Sequence, residues 1–244
     1  MSETVVVVVP DADVLASSVA ARLVTTIIDA QAVRGHAHVV LTGGRVAAKV
    51  LRAVRELPAS AAIDWARVDL WWGDERFLPA GDPDRNETQA REALLDALPL
   101  DPARVHAMPP SDGPDGDDAP AAAARYASAL AAAADGGAVP AFDVLMLGVG
   151  EDGHVASLFP EHPDATGTGT AIAVHNSPKP PPTRISLTLE AIRSATEVWL
   201  VAAGPDKAVS VAAALGGDQA LPAARVAGTS RTLWLLDTAA ASKR

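Results

Sequence analysis

Residues 147–160 read LGVGEDGHVASLFP, which puts glycines, carboxylates and a histidine directly after the apolar run FDVLML. Glycine at that density marks backbone that must bend sharply or approach another group closely. Asp152 stands two residues before His154. A carboxylate within reach of an imidazole fixes its tautomer and makes it a competent proton shuttle near neutral pH. Gly150 and Gly153 let the backbone come near a substrate and can offer amide donors. The spacing alone equally suits a solvated or capping histidine. Ser157 lies in ASLF rather than in G-x-S-x-G, so nothing marks it as a nucleophile.

Other short stretches carry polar residues after an apolar run. Gly73-Asp74-Glu75-Arg76 follows VDLWW. If the backbone is still extended there, Asp74 and Arg76 point to one side and Glu75 to the other; otherwise this is a surface ion pair of little worth. Thr42-Gly43-Gly44-Arg45 runs from HVVL into the helical pattern VAAKVLRAV. A strand, two glycines and a helix N-terminus make an anion cradle, although a plain tight turn needs the same glycines. No Gly-Lys-Ser/Thr is present, so it is not a Walker A loop. SPKPPPTR (177–184) holds Lys179 and Arg184 at a separation stiffened by proline, with an extended surface segment as the alternative. Gly204-Pro205-Asp206-Lys207 puts a lysine in the first turn of a helix, where a cation is disfavoured unless an anion needs it.

Gly148 to Gly153 also fits G-x-G-x-x-G after a strand. A dinucleotide site needs a long helix next and an acidic residue about 20 positions on. Here Pro160 stops the segment HVASLF and the following strand ends in His175-Asn176-Ser177, which argues against that reading.

The elements that must carry these loops alternate between strand and helix. VVVVV (5–9), HVVL (38–41), VDLWW (68–72), FDVLML (142–147), AIAVH (171–175), RISLT (184–188), EVWLVAA (197–203) and TLWLLD (232–237) read as strands. VLASSVAARLVTTIIDAQAV and VAAKVLRAVREL have apolar residues at helical spacing. Continuous apolar strands followed by helices predict a mostly parallel sheet covered on both faces. The five valines suit a buried strand. Asn86 followed by Gln89 looks like a capping-box start to a helix. AAAARYASALAAAA reads as an ordered helix, since alanine is the best helix former. Residues 109–120 read as a turn-rich acidic loop, either lid or solvated surface. No linker or repeat divides the chain, so residues 1–244 are expected to form a single α/β domain.

Composition narrows the function classes. No cysteine is present, which excludes disulfides, zinc–thiolate sites and a thiol nucleophile. The net charge of −10 repels nucleic acid and anionic membranes. It still permits a small anionic ligand where Arg45, Arg76, Lys179, Arg184 and Lys207 converge. No apolar stretch approaches the roughly 20 residues of a membrane span. The N-terminus lacks the pattern of a signal peptide, and a cytoplasmic protein is expected.

Together these stretches resemble the 6-phosphogluconolactonase family, within a wider superfamily that includes glucosamine-6-phosphate deaminases. GDERFLP with the later Asn86, GVGEDGHVASLFP and SPKPPPTRISLT are similar to that family's signatures, and the likeness runs from about residue 5 to residue 237. The resemblance implies a Rossmann-like α/β fold, a mostly parallel sheet flanked by helices with a smaller α/β portion alongside. It implies hydrolysis of a sugar-phosphate lactone, 6-phosphoglucono-δ-lactone, to 6-phosphogluconate in the oxidative pentose phosphate pathway, without metal or organic cofactor, by a monomer or homodimer. By the same likeness His154 is the general base, Asp152 orients it, Arg76 stabilises the oxyanion with help from amides of the glycine loop, and Asp74 binds sugar hydroxyls or steadies Arg76. Phosphate rests on Thr42, Gly43, Gly44 and Arg45, with Lys207, Arg184 and Lys179 closing over it. One departure stands out: the family's phosphate loop usually continues GGS-T-P, whereas this chain has Gly43-Gly44-Arg45-Val46-Ala47.

Two other readings compete. An amino-sugar-phosphate isomerase or deaminase shares the Asp-Gly-His loop but places a glutamate five residues after the histidine, where this chain has Phe159. A non-catalytic sugar-phosphate sensor usually carries an appended DNA-binding module, for which the chain is expected to leave no room; it could also dispense with Asp74, Arg76, Asp152 and His154, all present here.

Overall fold

The structure, a computed structural model, describes residues 3–244. Its main layer is a parallel sheet built from β1 (Glu3–Val9), β2 (Ala37–Leu41), β3 (Val68–Trp72), β5 (Val144–Gly148), β8 (Glu197–Ala202) and β9 (Arg231–Asp237), in the order β1-β9-β8-β5-β2-β3. A second sheet, β4 (Asp74–Arg76), β7 (Arg184–Leu187) and β6 (Ala171–Val174), is antiparallel in the order β4-β7-β6.

Sequence pattern explains most of this. β2 and β3 are buried along their whole length, as a central parallel strand must be. Helix α1 (Ala12–Arg34) buries Leu15, Val19, Leu23, Val24 and Ile27 at helical spacing. Asp11 caps its start by accepting from the amides of Asp13 and Val14, and Gly35, at φ 78°, ends it. Helix α2 (Arg45–Glu56) packs beside it. The alanine-rich stretch forms α4 (Ala119–Ala132), capped by Asp118, and lies on β6 and β7. Its Tyr126 hydroxyl both accepts from the amide of Trp72 and donates to its carbonyl. The small sheet with α4 is the smaller α/β portion.

The structure corrects some expectations. β6 and β7 do not join the parallel sheet; the proline-rich segment connects them with no crossover helix, so they can only pair antiparallel. β1 is half-exposed rather than buried, because it is an edge strand with β9 as its one neighbour. Asn86 does not cap a helix. It is the first residue of α3 (Asn86–Ala93), and its side chain turns toward Asp74.

Gly73 joins the two sheets. Its N–H donates to the carbonyl of Leu41 in the large sheet, and its carbonyl accepts from Leu187 in the small one, both at 2.9 Å. The chain therefore leaves β3 and enters β4 within one residue, which carries Asp74 and Arg76 over the end of the parallel sheet. Residues 109–120 are pinned beside residues 78–80: Asp112 accepts from the amide of Ala80, and Asp115 holds Arg125 through two bonds.

Candidate active site

β2 continues to β3 on one side of the sheet, whereas its neighbour β5 leads to β8 on the other. Parallel sheets bind ligands in the crevice at such a reversal, beyond the carboxyl ends of the strands. A cleft of about 350 Å³ opens there. Its two walls are tied together where the amide of Gly148 donates to Thr42 Oγ1 at 3.3 Å.

The glycine loop after β5 supplies one wall. His154 Nδ1 and Asp152 Oδ1 lie 2.5 Å apart. A carboxylate accepts, so Nδ1 carries the proton and Nε2 is left with its lone pair. Burial raises the Asp152 carboxyl, but the hydrogen bond and charge of His154, with the charge of Lys179, overcome it and hold the group down to about 2. His154 lines the cleft; Asp152 stands behind it. Phe159 packs against the imidazole, with ring centroids 4.6 Å apart. Gly150 also lines the cleft, and Ser210 Oγ fixes its carbonyl at 2.8 Å. Gly153, at φ 81°, is not a cleft residue; it packs against Leu221.

The three glycine amides of this loop are already engaged. Gly148 N donates to Thr42 Oγ1, Gly150 N to the carbonyl of His154, and Gly153 N to the carbonyl of Gly150. These glycines therefore shape the loop rather than offering free donors.

The opposite wall comes from β4. Its backbone is extended, so Asp74 and Arg76 both face the cleft and Glu75 points away. Asp74 is buried and firmly held: Ser157 Oγ donates to its Oδ2 at 2.6 Å, and Asn86 Nδ2 to its Oδ1 at 3.3 Å and to its carbonyl at 2.8 Å. Arg76 Nη1 donates to the carbonyl of Asp84 at 2.5 Å, which aims the rest of its guanidinium. Ser157 is 1% exposed and committed to Asp74, which removes it as a nucleophile.

Two strand-to-helix turns add cations to the cleft. Gly43, Gly44 and Arg45 line it at the start of α2, and Lys207 lines it from the turn Pro205–Lys207 that leads into α6 (Ala208–Leu215). Gly44 (φ 94°, ψ 171°) and Gly204 (φ 99°, ψ 155°) share a backbone conformation closed to other residues, so two strand-to-helix turns present their N-termini alike. Gly43 has a different constraint: a Cβ there would stand 1.8 Å from Asn86 Oδ1.

Lys179 and Arg184 also reach the cleft, but both are partly spoken for. Lys179 Nζ pairs with Glu151 Oε1 at 3.1 Å. Arg184 donates to the carbonyls of Lys179, Pro180 and Pro181 and comes within 4.0 Å of Asp74 Oδ2. It organises the proline segment beside Asp74 while still lining the cleft. Residues 109–120 are not among the residues that line the cleft.

Sequence reasoning missed Asn86 as a cleft residue, having read it as a cap, and missed Ala156, held at φ 50° on the cleft wall. A signal for Asn86 was present in its place after the Gly-Asp-Glu-Arg stretch; none was available for Ala156. Among the described residues, no group of three or more His, Cys, Asp or Glu side chains is arranged to hold a metal ion, and no helix is long and apolar enough to cross a membrane.

Known proteins resemble this chain in sequence and fold. A family model described as glucosamine-6-phosphate isomerases/6-phosphogluconolactonase matches residues 10–234. The chain is 62% identical to the 6-phosphogluconolactonase of Streptomyces coelicolor, over all of this chain and 96% of that one. It is 48% identical to the Mycobacterium tuberculosis 6-phosphogluconolactonase, over 96% of each. Among solved structures, the Thermotoga maritima 6-phosphogluconolactonase superimposes with a TM-score of 0.83 at 25% identity, over 96% of this chain and 100% of that one. A monomeric glucosamine-6-phosphate deaminase, 18% identical with a TM-score of 0.79 over 99% of this chain and 100% of its own, shares the fold. With its matched span, its sheet order and its cleft at the β2–β5 reversal, the chain belongs to the glucosamine-6-phosphate isomerase/6-phosphogluconolactonase family.

Proposed function

We propose that this chain is a cytoplasmic hydrolase that opens 6-phosphoglucono-δ-lactone to 6-phosphogluconate in the oxidative pentose phosphate pathway, and that residues 1–244 act as one α/β unit built on a shared core. The observation that carries the reading is the His154–Asp152 pair, in a cleft that Arg45 and Lys207 also line. The identity to lactonases over the full chain supports it.

His154 Nε2 takes a proton from water as the water oxygen attacks the lactone carbonyl carbon. Negative charge gathers on the carbonyl oxygen, where Arg76 offers its remaining N–H groups, the glycine amides of the loop being engaged elsewhere. The tetrahedral intermediate then collapses, the ring C–O bond breaks, and His154 returns its proton to the departing ring oxygen. Asp152 stays ionised and compensates the imidazolium in between. Asp74, held by Ser157 and Asn86, accepts from sugar hydroxyls. Phosphate lies against Thr42, Gly43, Gly44, Arg45 and Lys207. A δ-lactone already hydrolyses unaided, so a general base contributing about 10²–10⁴-fold, together with positioning, meets the demand.

The isomerase alternative needs a carboxylate five residues after the histidine. Phe159 occupies that position and lies against the His154 ring, offering no proton transfer.

The test is proton release on freshly generated lactone, measured above the spontaneous rate for wild type and His154→Ala. Acceleration by wild type and a fall of about 10²-fold or more in the variant are expected. A wild type that matches the background overturns the lactonase reading; equal activity of both proteins overturns the choice of base.

A further inference from the structure

Between the two cleft residues of β4 stands a carboxylate that never reaches the cleft. Glu75 has no exposed surface. Its Oε1 accepts from the amides of Arg76 at 2.8 Å and Asn86 at 2.6 Å, and its Oε2 from the amide of Glu87 at 2.9 Å. Arg85, equally buried, brings Nη2 within 3.8 Å of Oε2. The same guanidinium donates to the carbonyls of Leu78 and Met108, so it is fixed in its turn.

Helix α3 has no side-chain cap of the usual kind at its start. Glu75 takes that place from outside the helix, satisfying its first two amides and placing negative charge at its N-terminus. Withdrawing a carboxylate from water is costly unless it is paired and hydrogen-bonded. Burial pushes this one up to about 7, with Arg85 and the three amides pulling the other way. An apolar side chain would occupy a buried position without that cost, so the carboxylate is kept for what it fixes. Its bonds run to Arg76 and Asn86 themselves, and Asn86 in turn bonds Asp74. All three of those residues line the cleft.

We propose that Glu75 is a positioning residue for the hydrolysis: its buried carboxylate locks the start of α3 to β4 and thereby sets Asp74, Arg76 and Asn86 relative to one another across the cleft. The kinetic part of this inference rests on the lactonase reading, and the structural part rests on the hydrogen bonds alone.

Glu75→Gln and Glu75→Asp test it, each checked for folding by near-UV circular dichroism and thermal midpoint. In Glu75→Gln the amides of Asn86 and Glu87 exchange with solvent about tenfold faster, the loss of one such bond being of that order. Its kcat falls by about 10- to 100-fold, as misplacement of catalytic groups does. KM changes little, because the cationic turns stand at α2 and before α6 rather than on β4. Glu75→Asp, which keeps the charge, recovers part of kcat. An unchanged kcat beside faster exchange overturns the proposal, as does a loss of activity that merely follows the folded fraction. Failure of both variants to fold overturns it too, since Glu75 is then a general structural residue. If wild type itself does not accelerate lactone hydrolysis, the lactonase reading fails and with it the catalytic purpose of the clamp. Exchange at Asn86 and Glu87 then still decides the clamp, and unchanged exchange refutes it.

Discussion

Gly150 lies directly under the His154 imidazole: a Cβ on residue 150 would stand 2.1 Å from Nδ1 and 2.4 Å from Asp152 Oδ1. The pair can form its short bond only because position 150 has no side chain. Gly150→Ala must push both partners out of line. Overpacking of this kind costs about 1–3 kcal/mol of stability, which at about 2–4 °C per kcal/mol in a chain this size lowers the melting temperature by about 2–12 °C. The expected kinetic loss is far larger, about 10²-fold in kcat. A variant with near-normal kcat would mean that the His154–Asp152 geometry is not needed.

Asp152 gives a pH prediction with a definite sign. Its carboxyl is held down to about 2 in the folded protein, below the roughly 3.9 of a free aspartate. The native state therefore binds fewer protons there than the unfolded chain. The stability that follows is fully present above the unfolded value and is lost as pH falls through the folded one. Thermal midpoints of wild type and Asp152→Asn should converge between pH 4 and about 2. Above that window the carboxylate is already ionised, so an acid limb of kcat/KM near neutral pH belongs to a group other than Asp152. Midpoints that stay equally far apart as pH falls from 4 to about 2 would contradict this.

In the proposed mechanism Arg76 takes the oxyanion role, the glycine amides of the loop being used internally. Arg76→Ala is expected to lower kcat by about 10²–10³-fold, the usual loss when one such donor is removed. KM should change much less. Arg76→Lys rescues poorly, since an ammonium cannot bond the Asp84 carbonyl and the substrate with the same planar fork. A large rise in KM with kcat preserved would place Arg76 at the phosphate instead.

Much of this was legible in the sequence, for identifiable reasons. Continuous apolar runs such as VDLWW and FDVLML dictate buried parallel strands, and a ligand cleft beyond their carboxyl ends follows from that topology. The alternation that turns Asp74 and Arg76 to one side and Glu75 to the other follows from an extended backbone. What stayed hidden depends on contacts between distant segments. Asn86 has the sequence of a cap, yet Glu75 takes the capping duty and frees its amide for Asp74. The valines of β1 look like a core strand, but burial depends on having neighbours on both sides, and β1 has one. Arg184 reads as a free cation, whereas three carbonyls of its own proline segment claim it.

The two cationic turns make a prediction of a different kind. Arg45 and Lys207 lie where phosphate is proposed to rest, and the proposed mechanism leaves the chemistry to His154 and Arg76. Phosphate is unchanged in the reaction, so contacts to it stabilise ground state and transition state alike and should appear in KM rather than kcat. A hydrogen bond to a charged group contributes about 1.5–3 kcal/mol. Lys207, half-shielded and already close to Asp206, should act near the lower figure. Lys207→Ala is thus expected to raise KM by about tenfold and to leave kcat within a few-fold. Arg45→Ala should act in the same direction but less, because Arg45 is exposed at the start of α2 and screened by solvent. Raising the salt concentration should raise KM in wild type and flatten the difference between wild type and both variants. Assayed on the unphosphorylated lactone, wild type and Lys207→Ala should turn over equally. A loss that persists on that substrate would show that Lys207 serves the sugar ring or the fold, and the phosphate would have to be placed elsewhere in the cleft.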